Sequence, residues 1–463
     1  MKRKLLLAAM FIASVLGGVS VSAQINALTP SEVANGEFYV YNIERGMYIV
    51  PSNNYGTRAG FDKGGIVITV NVTDDGTLTL VTNVNGAGKG IFIADGNGET
   101  VYVDNTPTSW TFECIDNVNK VYTLKNGDNY LQAKTGETRL EAQPLPTDKS
   151  AQWQFIAKEV RQDISAASAT NPVDVTYLLE NQGFDRYNGE QNAWKNADNS
   201  NWRPGDGWCR NAAASNNCGE TWNANFDIHQ TITDAPNGIY ELRMQGYYRI
   251  SGDNNSDVLI SKLTNGEDVL RTKYYLNNTE AFLMHQFADP LPDNLEGSTA
   301  EVNGTVIRYP NSKTQAAIAF SNDYFENTPI QAVVNDGVVT IGLKLDNKNG
   351  ADWNCFDNFR LYYLGLPDVS QYVEALQNTI EQAEAFDATT TSTVLAEALN
   401  NAIAAGRAAL SSTDSDELAA AEAAISSALN AAKAVNVSVL RQTVAVTEAG
   451  IDLTAANNAI ANA

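Results

Sequence analysis

Hydrophobic and polar positions follow three different patterns along the chain. Residues 36–160 contain short apolar runs separated by Gly, Asn and Asp, and no stretch has helical periodicity. Residues 171–366 are again rich in strand patterns, with clear alternation from Ile239 to Met244 and from Val338 to Leu345. Residues 368–463 change to Ala, Leu, Glu and Thr, with apolar positions at a period of 3.6. The patterns predict a multidomain, mainly β protein with an all-α C-terminal part.

The first strand-rich segment contains a threefold repeat. Its units open with FYVYN, LTLVTN and VYTLKN, and they close with IVITV, SWTFE and AQWQF. The closings Trp110-x-Phe112 and Trp153-x-Phe155 are 43 residues apart. This pattern resembles the ricin-type lectin β-trefoil, although the usual Q-x-W signature is absent. The resemblance implies a trefoil over residues 24–160, a fold that binds sugars in some proteins and is purely structural in others.

The second strand-rich segment carries three motifs: NQGFD from Asn181, PNGIY from Pro236 and DNFRLYY from Asp357. Together they resemble the galactose-binding-like jelly-roll modules, in particular the carbohydrate-binding-module type, of multimodular Bacteroidetes-type exported proteins. The resemblance implies a two-sheet β-sandwich over residues 171–366, preceded by a linker at 161–170. Ligands would bind at loops along one edge or on a concave sheet face.

Residues 367–436 are predicted to form an antiparallel three-helix bundle. Small Ala stripes favour close helix approach, and Asp414 with Glu417 forms a capping-box-like start for the third helix. The segment is similar to small helical repeat modules that space domains on bacterial surface proteins, which implies a spacer. LQNTI from Leu376 recurs as LRQTV from Leu440, so residues 437–463 are predicted to begin a second copy. That copy either docks on the first bundle or precedes further modules.

The N-terminal residues 1–23 are predicted to be a secretory signal. They comprise the basic MKRK, an apolar run from Leu5 to Leu16, and the A-x-A-like site Val21-Ser22-Ala23. No cysteine follows the site, so a lipoprotein is not predicted. No later stretch is apolar enough to span a membrane, so no membrane insertion is predicted. We expect a secreted or cell-surface protein.

The net charge of the chain and the motifs that it lacks argue against several classes of function. The chain has 31 Lys and Arg against 54 Asp and Glu, a formal charge of −23, which repels nucleic acid phosphates and anionic membrane surfaces. It has two histidines and no G-x-S-x-G, phosphate-loop, H-E-x-x-H or paired C-x-x-C motif. We therefore predict no enzyme and no nucleic acid partner, although carboxylate pairs of the glycosidase type are not excluded by counting.

Tryptophans concentrate in the second strand-rich segment, four of them within 29 residues of Asn-, Gly-, Asp- and Ser-rich sequence: Trp194, Trp202, Trp208 and Trp222. A flat ring covers the C–H surface of a sugar while amides and carboxylates meet its hydroxyls. The prediction is that Trp194, Trp202 and Trp208 bind ligand from exposed loops. Trp222 and Trp353 adjoin strand patterns and are predicted to be core. The alternative is that most of these rings fill a β core.

Arg249 ends the strand QGYYR and is the predicted polar partner of vicinal sugar hydroxyls. The alternative is a structural ion pair inside the sandwich. Cys209 and Cys218 are the predicted disulfide, a loop staple that export would permit. Cys114 lies in a strand pattern and is predicted to be a buried thiol.

A calcium site is implied by the jelly-roll resemblance. Many such modules tie their first strand to their last with a structural calcium bound by oxygen ligands. The matching positions are Asp185 in NQGFD and Asp357 in DNFRL, to which Asn181 or Asn358 would add oxygens. The alternative is that Asp357 only caps a turn before the last strand.

These observations predict an exported, non-catalytic carbohydrate-binding protein or accessory module. Its partner would be a glycan or a glycoprotein, with further modules of the same polypeptide as a second class of partner. Two alternatives remain open at the level of sequence. One is a surface adhesin or protein-interaction module, and the other is the N-terminal accessory part of a larger glycoside hydrolase.

Overall fold

The computed structural model describes residues 33, 35–52, 56–94, 100–135, 139–184, 191–202, 218–250, 257–267, 269–350, 352–435 and 454–462. Within these ranges it contains 25 β-strands and seven α-helices, so the prediction of a mainly β protein is confirmed. The chain divides into two compact units. The first comprises residues 1–46, 67–133 and 141–161, and the second comprises 47–66, 134–140 and 162–463. The predicted signal at 1–23 lies outside the described residues.

Short antiparallel strands build the first unit. The first twelve strands of the chain are β1 (Gly36–Asn42), β2 (Met47–Ser52), β3 (Arg58–Asp62), β4 (Ile68–Val72), β5 (Thr77–Val81), β6 (Gly90–Ile93), β7 (Val101–Asn105), β8 (Trp110–Asp116), β9 (Val121–Asn126), β10 (Asn129–Ala133), β11 (Leu140–Gln143) and β12 (Trp153–Ala157). The hairpin of β2 and β3 belongs to the second unit, and β11 begins at the boundary. Within the first unit, β1 pairs with both β4 and β12, and β9 pairs with β8, β10 and β12.

The repeated W-x-F closings supply the core of the first unit. Trp110 and Trp153 are fully buried, as are Tyr122 and Phe155. Trp153 Nε1 donates to the carbonyl of Leu131 at 2.8 Å, which satisfies its polar atom inside the core. The closing tryptophans of the repeat therefore stabilise the fold.

Two antiparallel sheets dominate the second unit. Its remaining strands are β13 (Val173–Asp174), β14 (Gln191–Asn196), β15 (Asn201–Trp202), β16 (Gly219–Trp222), β17 (Phe226–Ile232), β18 (Gly238–Arg249), β19 (Lys273–Leu276), β20 (Thr279–Phe282), β21 (Ser298–Val302), β22 (Thr305–Tyr309), β23 (Ile330–Val334), β24 (Val339–Leu345) and β25 (Trp353–Tyr363). One sheet has the order β13-β25-β18-β23, with β16 also paired to β25. The other has the order β15-β14-β17-β24-β19-β20. Alternate apolar residues of both sheets meet in one hydrophobic core, as the period-2 pattern predicts.

Helices complete the architecture. They are α1 (Lys158–Arg161), α2 (Asp257–Thr264), α3 (Lys313–Ser321), α4 (Ser370–Glu384), α5 (Thr393–Ala409), α6 (Ser415–Ala434) and α7 (Thr454–Ala461). Helix α3 packs Ala316 and Phe320 against Tyr247 and Trp353, on the side of the first sheet that faces away from the shared core. Strand β18 is therefore covered on both faces.

Three helices, α4, α5 and α6, share a separate core in the C-terminal part of the second unit. Ser392 caps α5 by accepting from the backbone of Leu395, and Asp414 caps α6 by accepting from Asp416 and Glu417. A side chain at Gly406 would collide with Ile425, so the small residue allows close helix approach. The predicted second helical copy falls mostly on residues 436–453, which lie outside the described residues.

Candidate functional site

Burial divides the described tryptophans into two classes. Trp110, Trp153 and Trp194 have no exposed surface, Trp353 is 4% exposed and Trp202 is 6% exposed. Trp222 is 52% exposed. Trp208 lies outside the described residues. Among the tryptophans that the structure places, Trp222 is thus the one available to a ligand.

The prediction that Trp194 and Trp202 stand on exposed loops is wrong. Trp194 stacks on Phe184 with ring centroids 5.0 Å apart, and Trp202 meets Phe184 edge to face at 5.8 Å. Trp194 Nε1 donates to the carbonyl of Asn181 at 3.2 Å. Both tryptophans belong to strands of the six-stranded sheet and point into its core. Their polar sequence neighbours conceal this, because alternate residues of one strand face opposite ways.

The prediction that Trp222 belongs to the core is also wrong. Trp222 is the last residue of β16, which pairs with β25. Gly219 of the same strand lies against the ring of Phe356, and Thr221 accepts from Asn354 at 3.0 Å. Residues 219 and 221 therefore face inward, and the alternating position 222 faces the other way. Trp353, in contrast, is buried as predicted.

Three side chains lie side by side across the sheet β13-β25-β18-β23, where β16 pairs with β25. In register, Trp222 lies opposite Trp353, and Trp353 lies opposite Arg249 of β18. The Arg249 guanidinium sits over the Trp353 ring, 4.5 Å from its centroid. Trp353 Nε1 donates to Glu220 at 2.6 Å, and Lys313 pairs with Glu220 at 3.1 Å. We call Trp222, Trp353 and Arg249 the tryptophan row. Stacking and polar contacts fix its two inner members.

Arg249 does not have the accessibility that direct ligand contact requires. It is 4% exposed, and its Nη1 donates to Asn311 Oδ1 at 2.7 Å. Its partners include the amide of Asn311 and the indole of Trp353. Arg249 is therefore a buried residue that stacks on Trp353.

Polar groups follow directly after the exposed ring. Asn223 has a φ of 51°, and its backbone N–H donates to the carbonyl of Asp352 at 2.8 Å. Lys348 Nζ donates to the Asn223 carbonyl at 3.0 Å and to its Oδ1 at 2.7 Å. Asp352 Oδ2 accepts from the backbone of Asn349 at 2.7 Å. An exposed indole thus adjoins an ordered network of amide, carboxylate and ammonium groups.

A second aromatic surface lies on the outward face of the six-stranded sheet. Tyr275 of β19 extends over Gly342 of β24, where an added Cβ would lie 2.6 Å from the tyrosine ring. Tyr275 Oη donates to Asp227 at 2.5 Å, and His229 Nδ1 lies 3.9 Å from the same carboxylate. Burial, followed by the contact with Asp227, raises the pKa of Tyr275 well above its usual value. We call these four residues the outer face.

Lysines border the outer face. Lys344 Nζ lies 5.5 Å from the Tyr275 ring centroid and pairs with Glu280 at 2.6 Å. Lys273 pairs with the same carboxylate. Sequence reasoning missed this surface, although the alternation Lys273-Tyr274-Tyr275-Leu276 places Tyr275 outward. The sequence of one strand does not show which residues of the adjacent strands will lie next to it in the sheet.

Asp357, a predicted calcium ligand, lies in a β-bulge. The register between β18 and β25 shifts at this point, and Asn358 has a φ of 49°. Asp357 Oδ1 accepts from the backbone of Asn358 at 2.8 Å, and Asn358 Nδ2 donates to Gln245 at 2.6 Å. Asp185 lies outside the described residues. No group of three or more His, Cys, Asp or Glu side chains forms a metal cluster in the described ranges. Calcium stays a prediction.

Three of the four cysteines lie in the described ranges. Cys114 is partly buried on β8, and Cys218 is buried at the start of β16. Cys209 lies outside the described residues, so its predicted bridge to Cys218 stays a prediction. Cys218 and Cys355 of β25 are both buried and both are free thiols. The hydrogen bond to Cys355, followed by burial, raises the pKa of the Cys218 thiol well above its usual value.

Comparisons with known proteins give remote similarity to solved structures. No protein-family model matches the chain, and no curated protein matches it. A ricin B-like lectin of Macrolepiota procera, solved with lactose, is 15% identical and covers 27% of this chain and 96% of its own, with a TM-score of 0.23. The CBM51-2 and INT domains of ZmpB from Clostridium perfringens are 15% identical, with a TM-score of 0.15. That match covers 76% of this chain and 57% of the other, so this chain spans little more than half of it.

Across the described ranges, none of the helices combines the length and the apolar character needed to cross a bilayer.

Proposed function

We propose that this chain is an exported, non-catalytic carbohydrate-binding protein. In this proposal a β-trefoil precedes a galactose-binding-like jelly roll, and a helical spacer follows. The jelly roll binds a glycan at the tryptophan row, where the exposed face of Trp222 covers the C–H surface of a sugar ring. The amide of Asn223 and the ammonium of Lys348, both exposed beside the ring, meet its hydroxyls.

One observation carries the proposal: Trp222 is half exposed while the five other described tryptophans are buried. An exposed indole does not gain the free energy that burial of its apolar surface supplies. Folding stability therefore does not explain its position, and a function would. Its backbone is held by pairing of β16 with β25, and its cross-strand neighbour Trp353 is fixed by Arg249 and Glu220. A preorganised platform of this kind loses little entropy on binding.

The test is affinity electrophoresis of the full chain in gels that contain soluble polysaccharides, followed by calorimetric titration of any that retard it. Trp222→Ala is expected to weaken binding roughly 5- to 150-fold, because stacking on an aromatic ring contributes about 1–3 kcal/mol. Val306→Ala is the matched control, since Val306 is an exposed apolar residue of the same unit, on β22. Its affinity should equal that of the unmodified chain.

The outcomes separate the rival sites and functions. Unchanged affinity in Trp222→Ala, with loss in Tyr275→Ala, would move the binding site to the outer face. Failure of the chain to bind any polysaccharide would favour the surface adhesin, whose partner is a protein. An accessory part of a larger glycoside hydrolase would bind glycan in the same way, and would be recognised by a catalytic segment encoded after residue 463.

A further inference from the structure

The outward side of the six-stranded sheet carries a row of residues that crosses all six strands. Neighbouring strands pair in register along it, and from β15 to β20 its members are Asn201, Lys195, His229, Gly342, Tyr275 and Glu280. Residues opposite each other in register point to the same side of a sheet. The outer face therefore continues from Tyr275 past His229 to Lys195.

The Tyr275 side chain lies along the sheet instead of standing up from it. Its Oη donates to Asp227 of β17 at 2.5 Å, although β24 lies between β19 and β17. The ring passes over Gly342, where an added Cβ would lie 2.6 Å from it, and Tyr275 is partly exposed. One face of the ring therefore covers the sheet, and the opposite face is turned outward as a flat apolar platform.

Two lysine ammonium groups lie at the margin of this platform. Lys344 and Lys273 both pair with Glu280. Lys344 Nζ is 5.5 Å from the centroid of the Tyr275 ring. That distance exceeds the roughly 3.5–4.0 Å at which stacked atoms are in contact, so the outward face of the ring has room for a ligand.

Two side chains beside the platform have hydrogen-bonding groups that the described residues do not use. Lys195 Nζ donates to the amide oxygen of Asn201 at 2.6 Å, and no carboxylate of the described ranges pairs with it. His229 Nδ1 is 3.9 Å from Asp227, too far for a hydrogen bond, and within the described chain neither ring nitrogen has a hydrogen-bond partner. Since an ammonium has three donors, Lys195 has two left for a ligand.

We propose that the outer face and Lys195 form a second carbohydrate site, which binds a hexuronate residue of an acidic polysaccharide. The pyranose ring covers the outward face of Tyr275, and its carboxylate accepts from Lys195 Nζ and from a ring N–H of His229. Adjacent strands are about 4.8 Å apart, so Lys195 lies one strand beyond the end of the Tyr275 side chain, about the reach of one sugar with its carboxyl group. A neutral hexose would leave the ammonium unmatched, and an anion without a ring would leave the platform uncovered.

This site is separate from the tryptophan row, which lies on the other sheet. It rests on the proposed function only in that both ligands are saccharides. The negative charge of the whole chain does not forbid an acidic ligand here, because distant charges are screened over about 8 Å at physiological ionic strength. Of the nearby carboxylates, Asp227 accepts from Tyr275, and Glu280 is paired with two lysines.

The test is calorimetric titration of the full chain with oligogalacturonate and with the same oligomer after methyl esterification. Esterification removes the charge and keeps the sugar ring. The acid form should bind roughly tenfold more tightly than the ester, because a hydrogen bond to a charged group is lost in the ester. Raised NaCl should weaken binding of the acid form. Equal affinity for acid and ester, or no binding of the acid form, would overturn the proposal.

Variants test the two halves of the site. Tyr275→Ala should weaken binding of the acid form roughly 5- to 150-fold, as expected for loss of a stacking ring. Tyr275→Phe keeps the ring and should bind nearly as well as the unmodified chain, which guards against a Tyr275→Ala variant that fails to fold. Lys195→Gln should weaken binding of the acid form roughly 5-fold and leave that of the ester unchanged.

The matched control for charge is Lys262→Gln. Lys262 is a surface lysine of the same unit, on α2, and it pairs with Glu267. This variant should keep the affinity of the unmodified chain for the acid form. A loss as large as that in Lys195→Gln, or full affinity in Tyr275→Ala, would reduce the attraction to general charge and overturn the site.

The two sites are judged with different ligands. The tryptophan row is judged with neutral polysaccharides and Trp222→Ala, and the second site with oligogalacturonate and Tyr275→Ala. Trp222→Ala should bind the acid form as the unmodified chain does, so its loss of neutral binding bears on the proposed function alone. Loss of acid binding in Trp222→Ala, with none in Tyr275→Ala, would place the uronate at the tryptophan row and contradict a second site.

Discussion

Individual tryptophans in this chain do opposite things in similar sequence surroundings. Trp194 and Trp222 both have an Asn within two residues, yet one is enclosed by Phe184 and Phe359 and the other is half exposed. The sequence therefore shows that tryptophans are concentrated in this segment. It does not show which of them are buried and stabilise the fold. That distinction depends on whether a strand position faces the shared core, and on whether a neighbouring element covers the opposite side.

The two classes predict truncation effects of different size. Trp194→Ala should lower the free energy of unfolding by about 3–5 kcal/mol, because it removes a fully buried ring and leaves a cavity. Trp222→Ala should lower it by about 1 kcal/mol or less, since half of that ring is already in water. Chemical denaturation followed by circular dichroism measures both. A Trp222 variant as unstable as the Trp194 variant would mean that this indole is structural.

For secondary-structure elements, the sequence predicts which segments form strands better than it predicts which strands pair. Alternation identified β18 and β24 correctly, since Tyr240, Leu242, Ile341 and Leu343 all point into one core. It did not reveal that β16 pairs with β25, or that β25 changes face at the bulge beside Asp357. Pairing order and bulges arise from contacts far apart in sequence, so a single strand contains little information about them.

The predicted calcium site at Asp357 can be tested by removing and adding metal ions. If Asp357 contributes to a bound calcium that ties NQGFD to the last strand, chelation by EDTA should lower the melting temperature of the full chain. Added Ca²⁺ should restore it and Mg²⁺ should not, because Mg²⁺ demands a tighter octahedral site. An identical melting temperature with and without chelator would leave Asp357 as a bulge residue that hydrogen-bonds the backbone of Asn358.

At the scale of the whole molecule, composition and periodicity predicted a mainly β chain with a helical C-terminal part. Contacts assign the hairpin at residues 47–66 to the second unit, although the repeat pattern includes it with the first segment. A sequence repeat shows only that segments of a chain have similar residues. Compactness depends on where those pieces pack, and contacts far apart in sequence determine that packing.

Buried tyrosines make the stability of the second unit sensitive to alkaline pH. Burial raises the pKa of Tyr274 to about 12, and it also raises the pKa values of Tyr240 and Tyr248. A raised folded-state pKa favours the neutral form, so its contribution is complete below the unfolded pKa of about 10. That contribution is lost as pH rises from about 10 towards the folded-state values.

Thermal melts should therefore show a melting temperature that falls steadily above pH 10. Tyr274→Phe removes one of the ionisable groups together with its hydrogen bond to the Thr328 carbonyl. It should lower stability at pH 8 and reduce the slope of the decline between pH 10 and 12. A slope unchanged in this variant would show that other groups dominate the alkaline transition.

Among the tryptophans in the described ranges, one is half exposed and five are buried, so the fluorescence of the protein can report on ligand binding. Light emitted by a water-exposed indole is shifted to longer wavelength and is quenched by dissolved acrylamide, while enclosed indoles are protected. Within the described chain, the quenchable, red-shifted fraction would come from Trp222, so subtracting the spectrum of Trp222→Ala isolates its signal. A saccharide seated on that ring would shift the isolated emission to the blue and shield it from acrylamide, without any attached dye.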